Sequence, residues 1–300
     1  MERVINKRKA SDKAPTIIIF VLLTVYAASM ILLVLWGLSA ALKTWLGFYQ
    51  DKLGPPAGWP WAWEWKNFQL VFDQFVIPIV SDGVQKYRTI WDMLLYTLLY
   101  AGVGAFINTL VPCLVAYVVA KFDYKFSKLL YTVVIVCMIL PIVGAAPSEI
   151  SLLKTLHLYD TFWGNWIQKF HFLGMYFLVF HAAFKGISKE LSEAAYVDGA
   201  GEYQVLFRLI LPLVSTVFAT VMLIKFIEFW NDYQTPLLYL PSHPTLAYGV
   251  YWIGFTSVGA MATVPMRMAA CMLVLVPVLT LFVVFRNRLM GNLMMGGVKE

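Results

Sequence analysis

The sequence predicts an all-α membrane protein with six transmembrane helices, on three observations. Of its 300 residues, 60% are hydrophobic and only 13% are charged, whereas a soluble domain has about 25% charged residues. Several apolar runs reach the ~20 residues that a helix needs to cross about 30 Å of hydrocarbon. The net charge of +6 comes from short basic clusters between these runs. That pattern indicates membrane orientation and not a nucleic-acid-binding patch.

Six apolar runs are candidate spans, and the first three contain no charged residue. Pro141 and Pro147 are expected to kink or end the third run near its outer side, because proline removes a helical hydrogen bond. The last three runs carry the titratable residues His171, His181, Lys225, Glu228 and Arg267. The six runs are 14–42, 93–120, 129–148, 163–185, 209–229 and 264–285.

The basic N-terminus resembles the start of a signal peptide. The apolar run that follows is too long for a signal-peptide core and has no small-residue cleavage site before a polar segment, so we interpret it as an uncleaved first helix. The sequence therefore predicts a cytoplasmic tail (1–15), a first transmembrane helix (16–42), an outer loop (43–91), a transmembrane core (92–286) and a cytoplasmic tail (287–300).

The distribution of Lys and Arg predicts the orientation. With a cytoplasmic N-terminus, the inner segments contain 14 Lys and Arg residues and the outer segments contain 7. Because cytoplasmic segments are enriched in basic residues, this bias places both termini in the cytoplasm. An even number of spans agrees with that placement.

The first outer loop is rich in tryptophan, proline and glycine. We expect an interfacial aromatic belt with a small extracytoplasmic subdomain, because indole rings favour the membrane–water interface. A surface that meets a sugar or a sugar-carrying partner is the functional alternative, since aromatic faces suit both. The tryptophans are Trp45, Trp59, Trp61, Trp63, Trp65 and Trp91.

The inner connection at 186–212 predicts two short helices joined by a turn. Ser188 is suited to cap the first helix, and Glu190 lies in its first turn, where a negative charge is favourable. Gly199 allows a sharp turn into the second helix. Pro212 lies near the entry to the fifth span.

This connection resembles the EAA loop of ABC-importer permeases. The shared pattern is Glu-Ala-Ala, three residues, Gly, nine residues, an aliphatic residue, one residue and Leu-Pro. Leu209 stands where isoleucine is commoner in that family. The positions that the resemblance assigns to coupling with an ATPase are Glu193, Ala194, Ala195, Asp198, Gly199, Ala200, Leu211 and Pro212.

Two further segments resemble the second permease of maltose-type carbohydrate importers. The outer segment Trp230, Asn231, Asp232 and Tyr233, followed by Pro236-Leu237, is similar to an outer loop of that family and is a candidate part of the pathway. The C-terminal Gly296, Gly297, Val298 and Lys299 are similar to the family's ending, where a tail contact with the ATPase is implied. Glu300 replaces the final glycine. The resemblance covers about the last half of the chain.

The resemblance implies a division of labour in a bacterial or archaeal cytoplasmic membrane. An ATPase dimer would grip the loop from Glu193 to Pro212, and a homologous second permease would complete the pathway. A solute-binding protein outside the membrane would deliver a sugar or oligosaccharide. ATP and Mg would bind to the ATPase subunits, and this chain would bind no cofactor.

The sequence offers no support for an enzyme. It has no G-x-x-x-x-G-K-[ST] phosphate loop, no H-E-x-x-H metal site and no G-x-S-x-G nucleophile elbow. Cys113, Cys137 and Cys271 lie in apolar runs, so we interpret them as small buried hydrophobic residues. Nucleic acid and a metal are not expected ligands.

Three alternatives remain open from the residues. One is an ABC permease for another small polar solute. Another is an ion-coupled secondary transporter, which would be expected to show inverted repeats and midplane carboxylates. The third is a purely structural membrane scaffold, which would have no ATPase partner. Lys225 and Glu228, three residues apart, are expected to pair, either as a structural ion pair near the outer boundary or as a polar lining of the pathway. Arg267 is expected to extend its charged end to the interface.

The orientation predicts opposite labelling of two positions. Single cysteines at Gly58 and Glu202, in a variant lacking the three native cysteines, should react with a membrane-impermeant maleimide from outside and from inside, respectively. Labelling of both positions from the same side of intact cells would contradict the six-span topology.

Overall fold

The computed structural model describes residues 10–81, 83–122, 124–140, 144–256 and 259–295, and this part of the chain is mostly helical. Two π-helical segments (Leu98–Val103 and Val205–Ile210) and two 3-10 turns (Pro60–Ala62 and Gly259–Ala262) lie between or beside the α-helices. The regular elements are α1 (Ala10–Ala41), α2 (Trp45–Gln50), α3 (Lys66–Gln74), β1 (Ile77–Ser81), β2 (Val84–Arg88), α4 (Ile90–Thr97), α5 (Gly104–Lys121), α6 (Lys125–Ile139), α7 (Ala146–Thr155), α8 (Phe162–Gln168), α9 (Met175–Lys185), α10 (Lys189–Val197), α11 (Glu202–Gln204), α12 (Leu211–Leu213), α13 (Ser215–Asn231), α14 (Gln234–Tyr239), α15 (Leu246–Thr256) and α16 (Val264–Met295).

Three helices are long and apolar enough to cross a membrane. They are Pro15–Ala41, Ile90–Lys121 and Val264–Phe285, and Glu202–Leu213 with Ser215–Asn231 adds a fourth if this pair, bent by 72°, is one span. This count comes from length and composition within the described residues. Six spans therefore remain a prediction.

The predicted third and fourth spans are not single long helices. In the third, α6 has 15 residues and ends at Ile139; Pro141 lies outside the described residues. The fourth is divided into α8 and α9 by residues 169–174. Apolar composition alone does not report helix continuity, because a short apolar helix and a long one share the same residue types.

The all-α prediction misses one small sheet. Strands β1 and β2 form an antiparallel hairpin, with Ile77 opposite Arg88 and Ser81 opposite Val84. The strands follow the Trp-rich segment and lead into α4, which Thr89 and Asp92 start with a capping box. In β1, Ile77 and Ile79 are buried and Val80 is exposed, the period-2 alternation that is typical of a half-exposed strand.

The chain divides into two compact units. The first comprises residues 1–74 and 257–273, and the second comprises 75–256 and 274–300. In the first unit, the apolar side chains of α1 from Ile17 to Leu35 are exposed, as lipid contact requires. The C-terminal end of α1 is anchored by Asn67, whose Nδ2 donates to the carbonyls of Ala41 (2.8 Å) and Lys43 (3.0 Å). These bonds satisfy carbonyls that a helix end leaves unpaired.

The Trp-rich segment of the first unit is internally bonded. Trp59 and Trp61 stack with ring centroids 5.3 Å apart. The indole N–H groups of Trp63 and Trp65 donate to the carbonyls of Gly58 (3.3 Å) and Pro60 (2.8 Å). Elsewhere in this unit, Arg267 donates from Nε to the carbonyl of Met261 at 3.2 Å, which holds its guanidinium near the start of α16.

The core of the second unit forms where α5 packs against α9 and α13. Phe177, Phe180 and Phe184 recur on one face of α9 and are fully buried. They meet the small side chains Cys113 and Ala116 of α5 in one cluster. Small residues facing aromatic ones let helices approach closely. Cys113 is thus a buried apolar residue, as predicted, while Cys137 and Cys271 are only partly buried.

Asp160 joins two segments of the second unit that are distant in the sequence. Its Oδ1 accepts hydrogen bonds from the Ser242 N–H (3.0 Å) and from His243 Nδ1 (3.3 Å), and its N–H donates to the Tyr239 carbonyl at 3.1 Å. The φ of Asp160 is 60°, a left-handed conformation that Asp and Asn tolerate best among residues with a side chain. Partial burial raises the pKa of Asp160, but the hydrogen bonds from His243 and Ser242 outweigh it and hold the pKa below its ordinary value of 3.8.

The contact predicts pH-dependent stability. A carboxyl whose pKa is lowered by folding stabilises the folded state above its unfolded pKa, and this contribution disappears as the pH falls through the folded pKa. Asp160→Asn keeps the φ tolerance but loses the charge. It should therefore lower stability by about 1 kcal/mol at pH 7 and by progressively less below pH ~4.

Thermal unfolding of the parent protein and of Asp160→Asn is measured in detergent from pH 7 to pH 3. Asp73→Asn, which changes an exposed carboxylate on α3, serves as the control and should match the parent protein throughout. A stability difference for Asp160→Asn that is the same at pH 7 and pH 3 would contradict the role of the charge.

Candidate functional site

The inner connection begins with a capped helix, as predicted. The Ser188 hydroxyl oxygen accepts a hydrogen bond from the Glu190 N–H at 3.2 Å and so caps α10. Just before it, Lys121 at the end of α5 donates from Nζ to the Ile187 carbonyl at 2.6 Å. This bond fixes the point at which the chain leaves α9. The chain is therefore tied to the bundle just before α10 begins at Lys189.

The end of α10 is a Schellman turn centred on Gly199. The Ala200 N–H donates to the Ala195 carbonyl (2.9 Å) and the Gly199 N–H donates to the Tyr196 carbonyl (3.0 Å), the hydrogen-bond pair that defines this motif. The φ of Gly199 is +84°, although nothing lies within 4 Å of where a Cβ would be. Backbone conformation, not space, therefore favours glycine here.

The second arm is a continuous but irregular helix from Glu202 to Leu213. It starts with the Gly201 N–H donating to Gln204 Oε1 at 3.3 Å. It continues through the π-helical segment Val205–Ile210 into α12, which contains Pro212. A π-helical turn relieves the clash between a proline ring and the carbonyl four residues before it.

The predicted fifth span starts later than the sequence indicates. The second arm meets α13 at a bend of 72°, and Val214 at the bend has φ −101° and ψ 6°. The regular helix therefore begins at Ser215 and not at Leu209. The bend separates Pro212 from α13, although the apolar run at 209–229 covers both sides of the bend.

The residues of the EAA-like pattern fall into two groups. Ala195, Ala200 and Leu211 are partly buried and pack against the core cluster that includes Val205 and Ile210. The other group is exposed, and it comprises Glu193, Ala194, Asp198 and Pro212. One group holds the loop to the bundle, and the other is available for contact.

Exposed apolar side chains accompany the second group. Val197 is 88% exposed and Tyr203 is 82% exposed. Phe207, in the π-helical segment, is also exposed. Large apolar side chains exposed next to polar ones are typical of a surface that meets another protein. Sequence pattern alone did not single out these three residues.

The outer segment 230–233 is mostly bonded within the molecule. Trp230 is buried and donates from Nε1 to the Val274 carbonyl at 3.4 Å. Asp232 accepts from the Tyr100 hydroxyl (2.6 Å) and from the Thr235 N–H (3.0 Å). Tyr233 stacks on Tyr251 with centroids 4.4 Å apart. Asn231, the last residue of α13, is exposed, and its amide donates to the Ile227 carbonyl of the same helix at 2.8 Å.

A cluster of charged side chains lies beside this segment and includes residues of α13. Lys225 and Glu228 pair at 2.9 Å, as predicted. Lys169 lies 4.2 Å from the ring centroid of Phe229 and donates to the Tyr100 hydroxyl at 3.4 Å. Tyr100 in turn donates to Asp232. Sequence pattern alone did not single out Lys169, because its partners Tyr100 and Phe229 are distant in the chain.

The C-terminal residues Gly296, Gly297, Val298 and Lys299 lie outside the described residues. Within the part of the chain that the structure describes, no group of three or more His, Cys, Asp and Glu side chains could hold a metal ion.

Comparisons with known proteins place these features in a family. Residues 86–293 match the family described as the binding-protein-dependent transport system inner membrane component. The chain is 23% identical over 297 residues to the diacetylchitobiose uptake system permease protein NgcG of Streptomyces coelicolor, covering 96% of this chain and 90% of that protein. It is 25% identical over 205 residues to the melibiose/raffinose/stachyose import permease protein MelC of Bacillus subtilis, covering 68% of this chain and 74% of that protein.

Among solved structures, a chain of a bacterial ABC transporter that imports the acidic polysaccharide alginate has a similar fold. Its TM-score is 0.74 at 20% sequence identity, and the similarity covers 93% of this chain and 98% of that chain. The family match spans both arms of the inner loop and the helices α5, α9 and α13. The chain belongs to the family of binding-protein-dependent transport system inner membrane components.

Proposed function

We propose that this chain is one of two permease subunits of an ATP-binding-cassette importer and forms part of the membrane pathway for a sugar or oligosaccharide. The observation that carries the proposal is the family match over residues 86–293. The names of similar permeases support the substrate class, since they specify diacetylchitobiose, melibiose, raffinose, stachyose and arabino-oligosaccharides. ATP would be hydrolysed by partner subunits that bind ATP and Mg.

The exposed side of the inner loop is the proposed contact with the ATPase dimer. It presents the carboxylates of Glu193 and Asp198 beside the apolar side chains of Val197 and Tyr203. A carboxylate that meets a cationic partner forms hydrogen bonds roughly twice as strong as neutral ones. Apolar neighbours add area that water leaves on contact. The tail residues Gly296 to Lys299 would add a second contact.

The partly buried side of the same loop would transmit the movement. Ala195, Ala200 and Leu211 pack on the cluster that contains Val205 and Ile210, so a force on α10 reaches the bundle through packed atoms. Packed interfaces move as rigid bodies because they resist continuous deformation. Closure of an ATPase dimer would therefore move the inner ends of α9 and α13 with the loop.

On the outer side, the permease would receive sugar from a solute-binding protein and would pair with a homologous second permease. The similar alginate importer has been solved in complex with an alginate pentasaccharide-bound periplasmic protein. The proposed setting is the cytoplasmic membrane of a bacterium or archaeon, with six spans and both termini inside. The apolar helices within the described residues support a multi-pass arrangement.

Affinity purification from the native host followed by uptake measurement tests the proposal. The tagged chain should retain an ATPase, a second permease and an extracytoplasmic binding protein, and its deletion should abolish uptake of at least one sugar. The proposal would be contradicted if the deletion strain took up every tested sugar and other solute normally and the tagged chain retained no ATPase. If the deletion strain instead lost uptake of a different small polar solute, the chain would still be an importer subunit, but its substrate would not be a sugar.

Two substitutions test the coupling role of the loop. Glu193→Ala removes the proposed ion pair with the ATPase. Gly199→Leu forces a side chain into a positive-φ position, which costs about 1 kcal/mol or more in strain. Each should abolish or strongly reduce sugar uptake and either release the ATPase or prevent loaded binding protein from stimulating ATP hydrolysis.

Matched controls separate coupling from local stability. Glu190→Ala removes an exposed carboxylate from the same helix outside the pattern. Gly201→Leu places the same side chain into equally open space where φ is −78°. Both controls should transport normally at normal membrane abundance. Normal uptake and normal sugar-stimulated hydrolysis in the Glu193 and Gly199 variants would exclude these residues from coupling.

A further inference from the structure

A cavity of about 140 Å³ lies among α5, the connection at 169–174, α9 and α13. The cavity and the inner loop lie at opposite ends of α9. The cavity is lined by the first residues of α9, and the loop follows the last residue of this helix. Its polar and aromatic lining residues include Asn108, His171, Phe172, Tyr176, Phe177 and Lys225. Polar side chains within apolar helices are costly in a membrane and mark functional pathways when they face the helix bundle.

The polar groups on the cavity wall are already positioned. Asn108 is only 4% exposed and donates from Nδ2 to the Lys169 carbonyl at 3.2 Å. The same nitrogen lies 3.4 Å from His171 Nε2. The Lys225 side chain, 14% exposed, is held by Glu228 at 2.9 Å. Wall groups held by other contacts cost little entropy when they bind a ligand.

The aromatic groups give the cavity apolar faces. Lys225 Nζ lies 4.9 Å from the ring centroid of Tyr176, so the ammonium group and the ring share one wall. Phe172 and Phe177, with centroids 6.2 Å apart, form another part of it. A sugar ring presents C–H faces, which suit aromatic rings, and hydroxyl groups around its edge, which suit amide, imidazole and ammonium groups.

The charges near the cavity are balanced. The ammonium of Lys225 is paired with Glu228. Lys169, behind the wall, is connected through the Tyr100 hydroxyl to Asp232. A substrate carboxylate would need a cation of its own, because burying an unpaired charge is expensive. The pairing of both lysines therefore favours an uncharged ligand.

We infer that this cavity, defined by Asn108, His171, Gly174, Tyr176 and Lys225, receives one ring of an uncharged saccharide on its way through the membrane. The inference rests on the proposed function and assigns it a substrate class and a contact site. The cavity is smaller than the roughly 300–1,000 Å³ of complete ligand pockets. At about 140 Å³ it would hold only a part of an oligosaccharide at a time.

Gly174 offers a way to fill the cavity without disturbing the fold. It lines the cavity, its backbone is extended with φ 162° and ψ 179°, and nothing lies within 4 Å of where its Cβ would be. A side chain here occupies open space. Gly254 on α15 is a matched control, because its Cβ would also meet nothing within 4 Å and it lies outside the cavity.

The experiment uses the complete transporter in its native host. Uptake is first measured for uncharged probes (raffinose, arabino-oligosaccharides and diacetylchitobiose) and for acidic probes (alginate and galacturonate oligosaccharides). The KM of uptake, complex assembly and basal ATP hydrolysis are then measured for Gly174→Leu, Asn108→Ala and Gly254→Leu with the best probe.

The inference expects uptake of an uncharged probe and not of the acidic ones. Gly174→Leu and Asn108→Ala should each raise the KM of uptake about tenfold or more. Gly174→Leu fills the space that the sugar would occupy, and Asn108→Ala removes one polar contact with it. Assembly and basal ATP hydrolysis should stay unchanged, and Gly254→Leu should match the parent protein in all measurements.

Three results would overturn the inference while leaving the importer intact. Uptake of acidic probes alone would exclude an uncharged substrate. An unchanged KM in both cavity variants would exclude contact at this site. Failure of Gly174→Leu to assemble with the second permease would assign the cavity to a partner's side chain. Uptake of no saccharide at all would instead refute the proposed function, and the inference with it.

Discussion

The packing of α9 against α5 and α13 is the interaction on which the functional features of this chain depend. Phe177, Phe180 and Phe184 fill the space beside the small residues of α5, and Phe184 contacts Tyr117 with ring centroids 5.5 Å apart. One end of this seam forms the wall of the cavity at Phe177. The other end supports the inner loop, because Val205 and Ile210 belong to the same cluster. A single packed seam thus connects a candidate sugar contact to a candidate ATPase contact.

Charge inside the bundle is compensated within the chain. Lys225 and Glu228 form a direct pair, whereas Lys169 relies on the rings of Tyr100 and Phe229 and on the hydroxyl link to Asp232. Such arrangements lower the cost of placing a cation away from water. They also make the outer segment 230–233 part of the bundle's support. The candidate pathway role of Trp230, Asn231, Asp232 and Tyr233 stays a prediction.

The inner loop combines a tight turn with irregular helical backbone. The Schellman turn at Gly199 satisfies helix-end carbonyls and closes the first arm tightly. The π-helical segment before Pro212 and the 72° bend before α13 set the direction of the second arm. Both irregularities occur beside residues of the EAA-like pattern. The pattern accordingly includes residues that set the backbone shape of this loop.

The sequence by itself determined the class of this protein and the local chemistry of its loop. Composition and the lengths of apolar runs identify a membrane protein, because lipid requires each backbone polar group to be satisfied within its own helix. The spacing of Ser188, Glu193 and Gly199 predicts a capped helix and a turn, since both are set by neighbouring residues. The i to i+3 spacing likewise predicts the pair of Lys225 and Glu228.

Only the tertiary structure decided which distant residues meet. The contact of Lys169 with Tyr100 and that of Asn108 with the connection before α9 join positions more than 60 residues apart, and local patterns carry no record of such pairs. The same holds for helix continuity: the apolar runs at 163–185 and 209–229 contain a break and a bend, which the apolar composition of the two runs does not report. The cavity therefore follows from the packing of three helices and not from any one motif.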